Sequence, residues 1–136
     1  MKAYLGIGSN LGDKKENINH AIRQISRKTG EVLHQSGYYE SSPWGFESEN
    51  DFVNVVVLVE TNLEPLDLLA KLQGIEIEVG RTEKSNEEVY TDRIIDIDIL
   101  LYDDRIIDLP ELKVPHPHMK TRDFVMKPLN EILGLI

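Results

Sequence analysis

Asp96 and Asp98 interrupt the run RIIDIDILLYDD, residues 93 to 104, whose branched apolar side chains otherwise mark a buried strand. Side chains alternate across a strand, so the two carboxylates share one face while Ile95, Ile97 and Ile99 line the other. They stand about 6.6 Å apart along the strand. Unpaired, they repel each other and cost stability on a half-buried face. Leu100 and Tyr102 are expected to continue the carboxylate face, so that face is not uniformly polar. An edge strand with one wet face is the plain alternative; an oxygen-rich Mg²⁺ site accounts for more of the pattern. Whatever fold this chain adopts needs a sheet with a core on one side of this strand and polar chemistry on the other.

The remaining segments supply that sheet. KAYLGIGSN is apolar, β-prone and glycine-rich, and reads as a strand running into a turn. Asp13 caps a helix, with Glu16 three residues on, and Ile18, Ala21, Ile22 and Ile25 follow at helical spacing until Gly30 stops it. EVLHQSGYYES is a second strand, Ser41 to Asn50 a loop, and DFVNVVVLVET a third strand. From Pro65 to Val79 the period is helical again, with Leu68, Leu72, Ile75 and Val79 as its stripe. TEKSNEEVYTD, residues 82 to 92, has no period and forms a second loop. After the acidic strand, RIIDLPELKVPHPH continues as a short strand and prolines. The tail from Asp123 is expected to hold no more than a strand remnant and a helical turn. The order predicts an α+β, ferredoxin-like βαββαβ fold: an antiparallel sheet with helices on one face and a short C-terminal extension. Its other face is then open to a ligand.

A length of 136 residues suits a single domain. The net charge of −9 argues against a nucleic-acid binder. The absence of cysteine excludes disulfides and thiolate zinc sites. No apolar run approaches the ~20 residues of a membrane span, and MKAYLGIGSN lacks a signal peptide's apolar segment. A cytoplasmic protein is expected.

Phe52 and Asn54 share a face of the third strand. A buried Asn needs amide partners, and an aromatic beside it offers a stacking surface, which together suit a flat heterocycle; a core Asn satisfied by backbone is the alternative. Arg81, Lys84, Arg93, His116, Lys120 and Arg122 gather around the acidic strand in sequence. Converging there, they would suit a polyphosphate. GIGSNLGD has neither the dinucleotide nor the Gly-Lys-Ser/Thr spacing, and reads as a turn and helix entry.

Taken in order, GIGSNLGD, SSPWGFESENDFVN, QGIEIEVGR, DRIIDIDILLYDD and VPHPHMKTRDFV resemble the 6-hydroxymethyl-7,8-dihydropterin pyrophosphokinase family over nearly the whole chain. The resemblance implies one pterin pyrophosphokinase domain over residues 1–136. Its activity would be Mg²⁺-dependent transfer of diphosphate from ATP to the pterin hydroxymethyl group, releasing AMP, in folate biosynthesis. It further implies that Asp96 and Asp98 hold two Mg²⁺ ions and that Arg81 and Arg93 assist the transfer. Ser41, Pro43, Trp44, Phe52, Asn54, Asp96 and Phe124 would form the pterin pocket. Gln73, Glu76, Lys84, Arg93, Ile99, His116 and Arg122 would meet ATP. Small-molecule substrates and a monomer are expected. The chain departs from the family pattern at Tyr90 and Asp92-Arg93, where a tryptophan and a Pro-Arg pair are usual, and at Glu83, Glu111 and Pro117. Two other functions use parts of the same pattern: a non-catalytic ferredoxin-like ligand-binding module, and a metal-dependent phosphohydrolase.

Overall fold

The computed structural model describes residues 1–41, 51–80 and 94–134. Strand β1 (Lys2–Ser9) leads to helix α1 (Lys14–Lys28), then β2 (Gly30–Gln35), β3 (Tyr39–Ser41) and β4 (Phe52–Thr61). Helix α2 (Pro65–Gly80), β5 (Asp96–Tyr102), β6 (Ile107–Asp108), β7 (Lys113–Val114), a 3-10 turn (Met119–Thr121) and α3 (Asp123–Leu133) complete it. The main sheet runs β2-β4-β1-β5, with β3 also pairing β4, and every pairing is antiparallel. The architecture is therefore α+β, an antiparallel sheet with three α-helices among the described residues.

Helix α1 begins as its sequence dictates: the Asp13 side chain accepts the Glu16 backbone N–H at 3.2 Å. Replacing Asp13 by alanine leaves that donor without its cap and should cost about 1 kcal/mol. A lowered urea midpoint at unchanged slope would report it. The helix ends at Thr29, whose N–H and hydroxyl both reach the Ile25 carbonyl, at 2.9 and 2.8 Å. Gly30, expected as a helix stop, is glycine for another reason. It opens β2 so close to β4 that a Cβ there would lie 2.0 Å from the Glu60 carbonyl oxygen.

The two sheet faces are covered differently. Ala3, Leu5 and Ile7 of β1, Val53, Val55, Val57 and Val59 of β4, and Ile97 and Ile99 of β5 pack against α1 and α2. Tyr4, Val56, Leu58 and Leu100 face the other way, against Met119 and against Val125, Leu129 and Ile132 of α3. Two expectations are corrected here. The tail is an eleven-residue helix rather than a single turn, and helices occupy both faces. Val125, Leu129 and Ile132 repeat at helical spacing, but so short a stripe holds a helix only where a sheet face stands ready to bury it.

Three strand expectations also change. The segment expected as one strand over residues 31–41 is broken into β2 and β3. β1 continues through Gly6 and Gly8 to Ser9, and the turn comes later, at Gly12 with φ of 70°. In β5 the register against β1 shifts, Leu5 pairing Ile99 while Tyr4 pairs Leu101. Leu100 is the extra residue of a bulge, so Tyr102 leaves the carboxylate face and enters the core beneath the helices. Its hydroxyl donates there to the Leu63 carbonyl.

Candidate active site

Gly6 and Gly8 lie in β1 at the middle of the sheet, on the face that α3 only partly covers. Gly8 is paired with Asn54 on β4 and with Asp96 on β5; Gly6 is paired with Val56 and Asp98. Directly paired residues share a face. The result is a narrow trough of backbone with an amide on one bank and two carboxylates on the other; Gly8 is buried, and the Leu100 side chain covers the Gly6 end, 3.4 Å from where a Cβ would stand. The banks are two strand spacings apart, about 10 Å. A Cβ on Gly8 would come within 3.0 Å of Asn54 Oδ1 and 3.4 Å of Phe52 Cδ1, so a side chain here would crowd both.

The Asn54 bank is rigid. Asn54 is buried, and its amide nitrogen donates to the Tyr39 carbonyl at 3.2 Å and to Ser41 Oγ at 2.8 Å. The backbone acceptor assigns the amide orientation, since a carbonyl can only accept. What Asn54 offers a ligand is its carbonyl oxygen, held over Gly8. Half-buried Phe52, two residues back, shares this face.

On the opposite bank Asp96 and Asp98 are half-buried. His116 is tied to β5 by its backbone N–H, which donates to the Leu100 carbonyl at 3.1 Å. Its Nδ1 accepts the His118 N–H at 3.2 Å, which leaves the proton of the neutral ring on Nε2. Burial holds the His116 pKa below the usual imidazole value, aided by the Arg122 and His118 charges and opposed by Asp96. The ring is therefore neutral at pH 7. Its Nε2 lies 3.9 Å from Asp98 Oδ2, a polar neighbour rather than an ion pair or a hydrogen bond. Arg122 follows the 3-10 turn, with its guanidinium carbon 5.7 Å from the Phe124 ring centroid. The loop after β7 and the start of α3 thus bring an imidazole, a guanidinium and a second aromatic ring to the same region.

The described residues contain no group of three or more His, Asp or Glu side chains able to hold a metal by themselves. Two half-buried carboxylates on one face still suit a hard cation. Mg²⁺ is ordinarily held by one or two carboxylates, with phosphate oxygens and water completing its shell.

Glu76 sits elsewhere, on α2, where its Oε2 accepts the Ile97 N–H at 2.7 Å along the outer edge of β5. By alternation, the backbone groups of Ile99 face the same edge. The Ile99 side chain is buried in the core, so any contact it makes with a ligand comes from its backbone. Gln73, one turn before Glu76, is exposed. Pro43, Trp44, Arg81, Lys84 and Arg93 lie outside the described residues. The sequence reading missed Gly6 and Gly8 as site residues. Their signal was the spacing of two, which in a strand clears side chains from one face.

Comparison with known proteins bears on this arrangement. The family model described as 7,8-dihydro-6-hydroxymethylpterin-pyrophosphokinase matches residues 4–134. A "2-amino-4-hydroxy-6-hydroxymethyldihydropteridine pyrophosphokinase" of Porphyromonas gingivalis is 48% identical over 130 residues, 95% of this chain and 88% of that protein. The "Folic acid synthesis protein FOL1" of Dictyostelium discoideum is 40% identical over 129 residues, 95% of this chain but 19% of that protein. Among solved structures, wild-type HPPK-DHPS of Plasmodium falciparum superposes with a TM-score of 0.70 at 17% identity. That match covers 95% of this chain and 40% of the solved one, and it shows a shared fold alone.

Proposed function

Because this chain belongs to the 7,8-dihydro-6-hydroxymethylpterin-pyrophosphokinase family, we propose that the trough over Gly8 is where its two substrates meet. The protein is a diphosphotransferase of folate biosynthesis. The observation that carries the assignment of its site is the pairing of Gly8 with Asn54 on one side and Asp96 on the other. A flat pterin fits over a side-chain-free floor, and its hydroxymethyl arm then points toward the carboxylate bank.

In this reading Asn54 Oδ1 accepts an N–H from the pterin edge, Phe52 and Phe124 cover the ring, and Ser41 holds the Asn54 amide. Pro43 and Trp44 complete the pocket. ATP lies along the outer edge of β5, met by Gln73, Glu76 and the Ile99 backbone. Arg122, the Nε2–H of His116, and Arg81, Lys84 and Arg93 hold its phosphates. The pterin hydroxyl oxygen attacks the β-phosphorus in line and gives up its proton to water, the bond from the β-phosphorus to the α,β-bridging oxygen breaks, and AMP leaves with that oxygen. Two Mg²⁺ ions at Asp96 and Asp98 supply charge neutralisation and a lowered hydroxyl pKa when bound. Arg81 and Arg93 offset the remaining charge.

The helix–strand alternation and the β2-β4-β1-β5 order support a ferredoxin-like scaffold. In this reading residues 1–136 act as one domain, as a monomer in the cytoplasm. No helix among the described residues is long and apolar enough to cross a membrane.

The test is one incubation with ATP, Mg²⁺ and 6-hydroxymethyl-7,8-dihydropterin. AMP release that depends on the pterin is expected. Phosphate release without pterin would identify a phosphohydrolase, and no turnover at all a binding module.

A further inference from the structure

We propose that Glu131, near the far end of α3 from Phe124, is a positioning residue for pterin binding, acting through Tyr39 and Asn54. The proposal rests on the pterin reading of the trough.

A break separates β2 from β3 along β4. Gln35 pairs with Val57 and Tyr39 pairs with Asn54. Three residues, Ser36 to Tyr38, therefore stand opposite two, Val55 and Val56, which makes this a bulge. Ser36 stitches its first half: its N–H donates to the Val56 carbonyl and its Oγ accepts the Val56 N–H, both at 2.9 Å. Glu131 stitches the second half from outside the sheet. Its Oε1 accepts the Tyr39 hydroxyl at 2.6 Å, and both its oxygens lie 3.2 Å from the Gly37 nitrogen, which donates to them.

The bulge decides which residue faces Asn54. As built, Tyr39 does, and its carbonyl takes one of the two Asn54 amide bonds while Ser41, two residues on, takes the other. A slip of one residue would put Tyr38 or Glu40 opposite Asn54 and turn Ser41 to the wrong face. Glu131 holds both ends of the segment that could slip. It touches neither substrate nor any reacting atom. Its helix also carries Phe124 at the opposite end, so the aromatic cover and the amide bank are referenced to one rigid element.

The test compares Glu131→Ala, Glu131→Gln and Tyr39→Phe with the unaltered chain. Glu131→Ala should raise the KM for 6-hydroxymethyl-7,8-dihydropterin about tenfold, the scale of a lost charge-assisted hydrogen bond, with the KM for ATP unchanged. Glu131→Gln, which keeps an acceptor for Tyr39 but loses one facing Gly37, should recover part of that loss. Tyr39→Phe should fall between the two. The Asn54 side-chain amide resonances should move in all three variants without any substrate present. Equal rises in both KM values, or an Asn54 amide unmoved in Glu131→Gln, would overturn the proposal. If alanine at 131 prevents folding, the glutamine and Tyr39→Phe variants carry the same comparison. An unaltered chain that makes no AMP would count against the pterin reading alone, because the Asn54 resonances still decide the positioning.

Discussion

Replacing Asp96 by alanine is expected to leave the fold intact and to lower pterin-dependent AMP formation by about 10³-fold, the upper range for removing one electrostatic stabiliser of a transition state. The fold should survive because Asp96 is half-buried on a face where its direct neighbour on β1 is Gly8. Removing it also relieves its repulsion with Asp98. Activity should collapse because one carboxylate cannot hold what two hold, and the phosphates would lose the cations that neutralise them. Steady-state AMP release at saturating Mg²⁺ measures the effect, with urea unfolding as the control. More than a tenth of normal activity in a folded Asp96→Ala protein would remove these carboxylates from the chemistry.

Valine at Gly8 should produce the next largest loss, and a more selective one. Its Cβ alone would sit 3.0 Å from Asn54 Oδ1 and 3.4 Å from Phe52 Cδ1, and its methyl groups would occupy the floor itself. A steric cost of about 1–3 kcal/mol, if felt by the bound pterin, corresponds to roughly fivefold to more than a hundredfold in kcat/KM for the pterin. The backbone should tolerate it, since φ at Gly8 is not in the left-handed region and β-branched residues favour strands. Alanine should give a smaller loss of the same kind. The KM for ATP should hold if, as proposed above, ATP lies along the outer edge of β5, where Glu76 accepts the Ile97 N–H. Parallel loss of ATP binding would mean that the substitution deforms the sheet.

Much of this site was legible before any coordinates, and the reason is period. Alternation in β5 put Asp96 and Asp98 on one face with Ile97 and Ile99 opposite, and the same rule joined Phe52 to Asn54 on β4. Capping chemistry located Asp13 at the start of α1. Where the reading failed, a local rule met a non-local partner. Tyr102 was assigned to the carboxylate face because alternation was carried through Leu100, where β5 bulges against β1. Gly6 and Gly8 were read as a turn because glycine usually punctuates, and only their neighbours Asn54 and Asp96 make their missing side chains useful. The segment from Glu31 to Ser41 was read as one strand although Ser36-Gly37 is a break signal within it; the hydrogen bonds to Val56 and Glu131 that hold the break come from outside the segment.

The sequence by itself determined the chemistry available to this protein: two carboxylates on one strand face, an amide beside an aromatic ring, and the helical and strand segments that carry them. These follow from interactions between residues a few positions apart, which a chain records directly. The tertiary structure decided the distances. It set Asn54 and Asp96 on either side of one glycine, folded the tail back as α3 against the sheet, and joined Glu131 to Gly37 and Tyr39 beside Asn54. Those choices depend on which strand lies beside which and on where a bulge inserts one residue, and strand pairing is settled by surfaces that meet only when the sheet is assembled.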